Sequence, residues 1–208
     1  MTDPAATSAT AAGTCDPIDP PLSRGDRNNN PPGIGLWALI REDHRTHGLW
    51  SELGLWAIVV HRFGNWRMGI RPKILRGPFS LAYRYLNLGV EMATGISLPY
   101  TVQVGRRVRI WHHSGIILHA RSIGDDTQIR QNTTMGIAVT HRLTAIPTIG
   151  SRVDIGCGAC ILGNVRVGDD ARIGANAVVL ADVPAGATVV GIPARVVRRA
   201  EPPKGADA

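Results

Sequence analysis

Between residues 149 and 183 the apolar and polar positions recur in sixes. Ile149, Ile155, Ile161, Val167, Ile173 and Val179 hold the first place of successive hexads, and Val153, Ala159, Val165, Ala171, Ala177 and Val183 hold the fifth. Glycine takes the second place at Gly150, Gly156, Gly168 and Gly174. A period of six fits neither the 3.6 of a helix nor the 2 of a single strand. It is the spacing of a parallel β-helix, in which each hexad is a short flat strand plus a tight corner. The aliphatic first residue points into the prism, and the small fifth residue fits under the corner. One coil cannot bury its own apolar face, but stacked coils can. The same phase runs upstream through Val104, Ile110 and Ile116, with Val108, Ser114 and Ala120 at fifth places. After one extra residue it resumes at Ile123, Ile129 and Met135, with Thr127 and Thr133 at fifth places. It lapses over residues 136–148, which are predicted to leave the prism as an excursion loop.

A different pattern precedes the repeat. Residues 1–35 are rich in Ala, Thr, Pro, Asp and Asn and poor in large apolar side chains, the composition of a disordered leader. Leu36, Trp37, Leu39 and Ile40 then precede a polar run, and Gly48 is placed to end a first helix. The apolar positions from Leu49 to Phe63 predict a second helix, broken by Pro72. A third is predicted over about residues 73–92. Residues 36–95 therefore read as an α-helical cap on the first coil, residues 96–190 as the β-helix, and residues 191–208 as a C-terminal tail. The fold class is mainly β.

Composition narrows the partners. The 208 residues include 24 glycines and carry a formal net charge of +7. The arginines are dispersed and no stacking aromatics interleave with them, so an anionic small ligand fits better than nucleic acid. Three cysteines, an odd number, argue against a disulfide framework and suit a reducing, cytoplasmic setting. Cys15 falls in the leader. Cys157 and Cys160 form a lone CxxC inside the hexad register, read as packing or ligand-lining rather than as a zinc site. No secretory signal is visible, and the most apolar helical stretch, residues 55–60, is far too short to span a bilayer.

Chemistry is expected where polar residues break the register. Trp111, His112, His113, Ser114 and Gly115 sit within one hexad whose inward places belong to Ile110 and Ile116. Both histidines should be at the surface, where an imidazole can take a proton from a hydroxyl at neutral pH. Two solvated surface histidines are the plainer alternative. Zinc is a third, and it would need further ligands; neither His119 nor His141 can be placed near from sequence.

From residue 37 to residue 198 the chain resembles the serine acetyltransferase family of hexapeptide acyltransferases, closest to the shorter members encoded with polysaccharide biosynthesis. The likeness lies in LWAIVVHRFGNW, VGRRVRIWHHSGIIL, the excursion, GACILGNVRVGDDARIGANAVVL and VVGIPARVV. The resemblance implies a left-handed β-helix, an exception to the usual crossover rule. It also implies a homotrimer with active sites in the grooves between subunits, acetyl-CoA as acyl donor, no metal and a small hydroxyl-bearing acceptor. Counting from Gly105 to Gly115 puts His112 on the family's general base, with His113 where the family often has a small residue. Gly136, Cys157, Gly158 and Arg172 match parts of the pantetheine groove. Pro193 and Arg195, with Arg198, match the end near the adenine and phosphates. Transfer would be direct, backbone N–H groups near the excursion holding the oxyanion.

Three positions depart from the serine-using members. Their Arg-His-Pro reads Ala145-Ile146-Pro147 here, so Ile146 replaces a second active-site histidine. Ser97 stands where they carry the acid that orients the base. Their Asp-Pro in the helical region has no counterpart, since Asp43 is followed by His44. His141 is a candidate stand-in for the lost histidine, with His113 and Ser97 as possible assistants. Losing contacts for an amino acid's charges discriminates against it, so the expected acceptor is the hydroxyl of a sugar or of a polysaccharide or natural-product precursor. Serine is the alternative acceptor, and a non-catalytic trimeric scaffold the alternative class. The short cap predicts a plain trimer rather than paired trimers.

Overall fold

The computed structural model describes residues 22–198. Three helices, α1 (Leu36–His47), α2 (Leu53–Trp66) and α3 (Lys73–Thr94), precede a three-sided prism. The first coil is β1 (Ile96–Ser97), β2 (Gln103–Val104) and β3 (Arg109–Ile110). The second is β4 (Ile116–Leu118), β5 (Ser122–Ile123) and β6 (Gln128–Ile129). The third is β7 (Thr134–Gly136), β8 (Thr148–Ile149) and β9 (Asp154–Ile155), the excursion leaving between β7 and β8. The fourth is β10 (Cys160–Leu162), β11 (Arg166–Val167) and β12 (Arg172–Ile173). β13 (Val178–Val179) and β14 (Thr188–Val190) close the stack, and β15 (Arg195–Arg198) folds back antiparallel on β14.

Every third strand stacks. Face A is β1-β4-β7-β10-β13, face B is β2-β5-β8-β11, and face C is β3-β6-β9-β12-β14 with β15 at its edge. The register pairs hexad with hexad on faces B and C: Ile110 with Ile129, Ile123 with Ile149, Ile129 with Ile155. The first places therefore form aliphatic layers such as Ile110, Ile129, Ile155, Ile173 and Val189 up face C, each at most 3% exposed. Burying each such side chain stabilises by about 1.5–3 kcal/mol. Thr127 and Thr133 take fifth places because their hydroxyls find carbonyls there, Gly150 O at 3.1 Å and Arg130 O at 2.7 Å.

The helices cap the open end of the first coil, as the apolar pattern predicts, but the joint is polar. Arg62 is fully buried; it donates to Val104 O (2.7 Å) and Gly105 O (2.6 Å) and pairs with Asp43 at 3.0 Å. His61 Nε2 meets Val102 O at 3.0 Å, and His47 Nε2 accepts the Ile110 N–H at 3.2 Å. These are backbone groups on the top edge of the prism, which an unpaired strand leaves open.

Three local expectations change. α2 begins at Leu53, not at Leu49; Leu49 and Trp50 stay exposed in a turn, and Trp56 Nε1 donates to Trp50 O at 2.9 Å. Composition predicts a disordered leader over residues 1–35. Residues 1–21 of it, with Cys15, lie outside the described residues, but Asn29 N donates to Asn65 Oδ1 (3.1 Å) and Asn30 Nδ2 to Arg62 O (2.9 Å). Composition counts apolar side chains and misses such amide ties. Finally, Ser114 is not tucked under its corner. It is exposed, whereas Thr133, Ala159 and Ala177 one, two and three coils along are buried.

Candidate active site

The reason for that exception is the backbone of the corner between faces C and A. His112, Ser114 and Gly115 all have positive φ, +62°, +87° and +63°. Non-glycine residues rarely hold this conformation, and it persists only where the surroundings impose it. Here the surroundings are the C-terminal end of α3: Ser114 N donates to Thr94 O (2.8 Å) and Ile116 N to Gly95 O (3.0 Å). The corner is thus pinned to the last carbonyls of a helix, whose end carries partial negative charge. His112 and His113 project from it exposed. Among the described residues neither imidazole has a hydrogen-bond partner, so both are open to a ligand.

Below His112 the same corner repeats in each coil, tied by backbone hydrogen bonds. Asn132 N donates to Ser114 O (3.1 Å), Gly158 N to Gln131 O (3.0 Å) and Asn176 N to Cys157 O (2.8 Å). At the far end Val178 N donates to Gly191 O and Ala194 N to Val178 O. One continuous edge therefore carries His112 and His113 at the top, Cys157 and Gly158 midway, and Pro193 and Arg195 at the bottom. Gly158 is required at its place: its φ is +71°, and a Cβ would collide with the Asn176 side-chain oxygen.

The structure does not bring every candidate to this edge. Gly136 ends β7 on the opposite side of face A, and exposed His141 lies beyond it on the excursion. Ser97 lies in β1, paired with Ile117 on face A. Arg172 is exposed on face C, between Asp154 and Thr188. Arg198 ends β15, paired with Thr188. Within one chain, the His112 corner and the excursion are separated by the width of face A. Cys157 and Cys160 are free and half-buried, and among the described residues no three His, Cys, Asp or Glu side chains gather as a metal site.

Two concavities lie under the excursion. Ile146, His119 and Ile137 line a concavity of about 390 Å³. Its neighbour, about 580 Å³, is lined by Arg24, Arg27 and Arg121. The sequence singles out Ile146 but misses Arg24, Arg27 and Arg121, because no motif joins positions so far apart in the chain.

Residues 147–181 match the family described as bacterial transferase hexapeptide (six repeats). The chain is 33% identical over 169 residues to a serine acetyltransferase of Helicobacter pylori, spanning 79% of this chain and 95% of that one. It is 35% identical over 153 residues to a serine acetyltransferase of Mycobacterium tuberculosis, spanning 73% and 64%. Among solved structures, the apoenzyme of soybean serine acetyltransferase superposes with a TM-score of 0.66 at 30% identity, over 78% of this chain and 69% of that one. The coils are accordingly those of a left-handed parallel β-helix, and the chain is an O-acetyltransferase belonging to the serine acetyltransferase family of hexapeptide-repeat acyltransferases.

Proposed function

We propose that this protein transfers the acetyl group of acetyl-CoA to the hydroxyl of serine in the cytoplasm, with His112 as general base. The observation that carries the reading is the single edge joining His112, Gly158 and the Pro193–Arg195 return. An extended thioester laid along it would have its acyl end at His112 and its phosphates near Arg195. Similar solved structures support both ligands: one is a soybean serine acetyltransferase complexed with serine, another a serine acetyltransferase in complex with CoA. Serine thereby replaces the sugar as the leading acceptor, since relatives of that name span most of this chain.

The chemistry needs no acyl-enzyme. The His112 imidazole removes the hydroxyl proton as the oxygen attacks the thioester carbonyl. The tetrahedral intermediate then expels the CoA thiolate, which takes the proton back from the imidazolium. With no acid at Ser97, the fixed backbone of the His112 corner and the carbonyl end of α3 are what hold the base in place. A trimer completes the site, because the excursion of one protomer must lie against the His112 edge of another to be near it. No helix among the described residues is long and apolar enough to cross a membrane.

Sugar hydroxyls are the second reading, favoured by Ile146 in the place of a polar acceptor contact. Thiol release from acetyl-CoA, followed with serine and with neutral glycosides, separates the two. Saturable turnover on serine is the expected result. Turnover on glycosides alone would overturn serine and restore the sugar.

A further inference from the structure

We propose that the cavity between residues 22–27 and face B is an anion subsite that holds the carboxylate of the acceptor, with Arg24, Arg27 and Arg121 as its cationic groups. The proposal rests on the acetyl-transfer reading for its role, but not for the binding itself.

The cavity is a built feature of about 580 Å³. Its floor is face B, where Gln103 and Ser122 are register partners on β2 and β5. Its roof is the chain from Leu22 to Arg27, and Ile146 of the excursion closes one end. The roof is held in place. Gly25 is buried with φ +64°, and a Cβ there would stand 2.7 Å from Tyr100 Oη, so the segment lies directly on the Tyr100 ring. Tyr100 is itself fixed by an edge-on contact with Tyr83 and by the Arg67 guanidinium over its ring. Ser23 Oγ accepts from Asn29 Nδ2 at 2.8 Å, and Asn29 is tied to α2 through Asn65.

Three guanidinium groups and one carboxylate, Asp26, line this space. Arg121 is anchored to the excursion by its Nη2 bond to Thr144 O at 3.1 Å. Arg24 and Arg27 make no ion pair among the described residues, although elsewhere on the surface Arg107 and Arg152 pair closely with Asp126 and Asp170. Arg24 and Arg27, two guanidinium groups beside the single carboxylate of Asp26, suit a concave site to a carboxylate, which arginine meets with two parallel hydrogen bonds. The adjoining concavity is walled mainly by apolar side chains, Leu22, Ile137, Leu143 and Ile146, with His119 and Thr101 as its polar groups, and it offers room for the rest of the acceptor. The charge absent from positions 145–146 is thus supplied by Arg121 and by a segment outside the hexad repeat. The cavity is several times larger than serine needs, so an acidic sugar is a second source of the same carboxylate.

The test compares the wild-type oligomer with an Arg24→Ala/Arg27→Ala variant. These side chains are exposed, and an unchanged melting temperature checks the fold. Acceptors are L-serine, L-serinamide, D-glucuronate and glucose, with acetyl-CoA as donor. The expected result is a KM for the carboxylate acceptor raised at least tenfold in the variant, with kcat and the KM for acetyl-CoA little changed. L-serinamide and glucose, which lack the carboxylate, should be poor acceptors for both proteins and equally so. Serine or glucuronate, whichever saturates, identifies the source. An unchanged KM for that acceptor would overturn the proposal. Calorimetric titration with serine and glucuronate keeps the subsite apart from the activity: carboxylate binding lost in the variant supports it even without turnover, and no difference between the proteins refutes it.

Discussion

The prism and its joint with the cap are held together in opposite ways. In the prism, stability is spread over layers of Ile, Val and Ala, each contributing a small share and each repeated a coil away. At the joint, Asp43, His61, Arg62 and Asn65 are fully buried, and a few hydrogen bonds carry the contact. A repeat can stack on itself through apolar faces. Its open end cannot, because the first coil exposes backbone N–H and C=O groups that only polar partners satisfy. Arg62 alone reaches two such carbonyls. The two regions should therefore fail differently, the prism by degrees and the joint at once.

The largest effect should come from Arg62→Ala. It strands Asp43 without its cation and leaves the Val104 and Gly105 carbonyls without their guanidinium partner. Breaking a buried pair in this way typically costs about 3–5 kcal/mol. Chemical denaturation should show that loss, and activity should fall with it, because β3 carries the His112 corner.

Acid should attack the same joint next. Burial pushes the His61 imidazole down to about 3, with the neighbouring Arg62 charge adding to the shift. Burial also lowers His47, which must stay neutral to accept the Ile110 N–H. Both groups bind protons more readily unfolded than folded. Their contribution is therefore complete above the ordinary histidine range and is lost as pH falls from there toward the folded values. The slope for each such group approaches about 1.4 kcal/mol per pH unit. Denaturant midpoints at pH 7 and pH 5 should differ accordingly, and a His61→Gln protein should show a shallower dependence.

The smallest effect belongs to the prism. Ile155→Val removes one methylene from a face C layer and should cost about 0.5–1.5 kcal/mol. A loss as large as that of Arg62→Ala would erase the contrast between the two regions.

The same contrast governs what the sequence made legible. The hexads announce the prism because inward places must be aliphatic in every coil, and the register pairs Ile123 with Ile149 as that period requires. The joint is hidden because its residues look like an ordinary polar helix face: Asp43 and His47 sit in a run that reads as solvated, yet both are buried. The His112 corner was readable as a break in the pattern, whereas its positive φ and its bond to α3 depend on contacts between distant positions. The leader hid most, since Arg24 and Arg27 acquire a place only once Gly25 rests on Tyr100.

The most direct test of the account is the pair His112→Ala and His113→Ala, assayed side by side with serine and acetyl-CoA, with CoA-induced thermal stabilisation measured on both. The two histidines share one exposed corner, so a general effect on fold or charge would strike both. A general base contributes about 10²–10⁴-fold. With His112 as the base, kcat should fall by that order in His112→Ala with CoA stabilisation retained, and change by no more than a few-fold in His113→Ala. Near-normal turnover by His112→Ala, or the larger loss at His113, would contradict it.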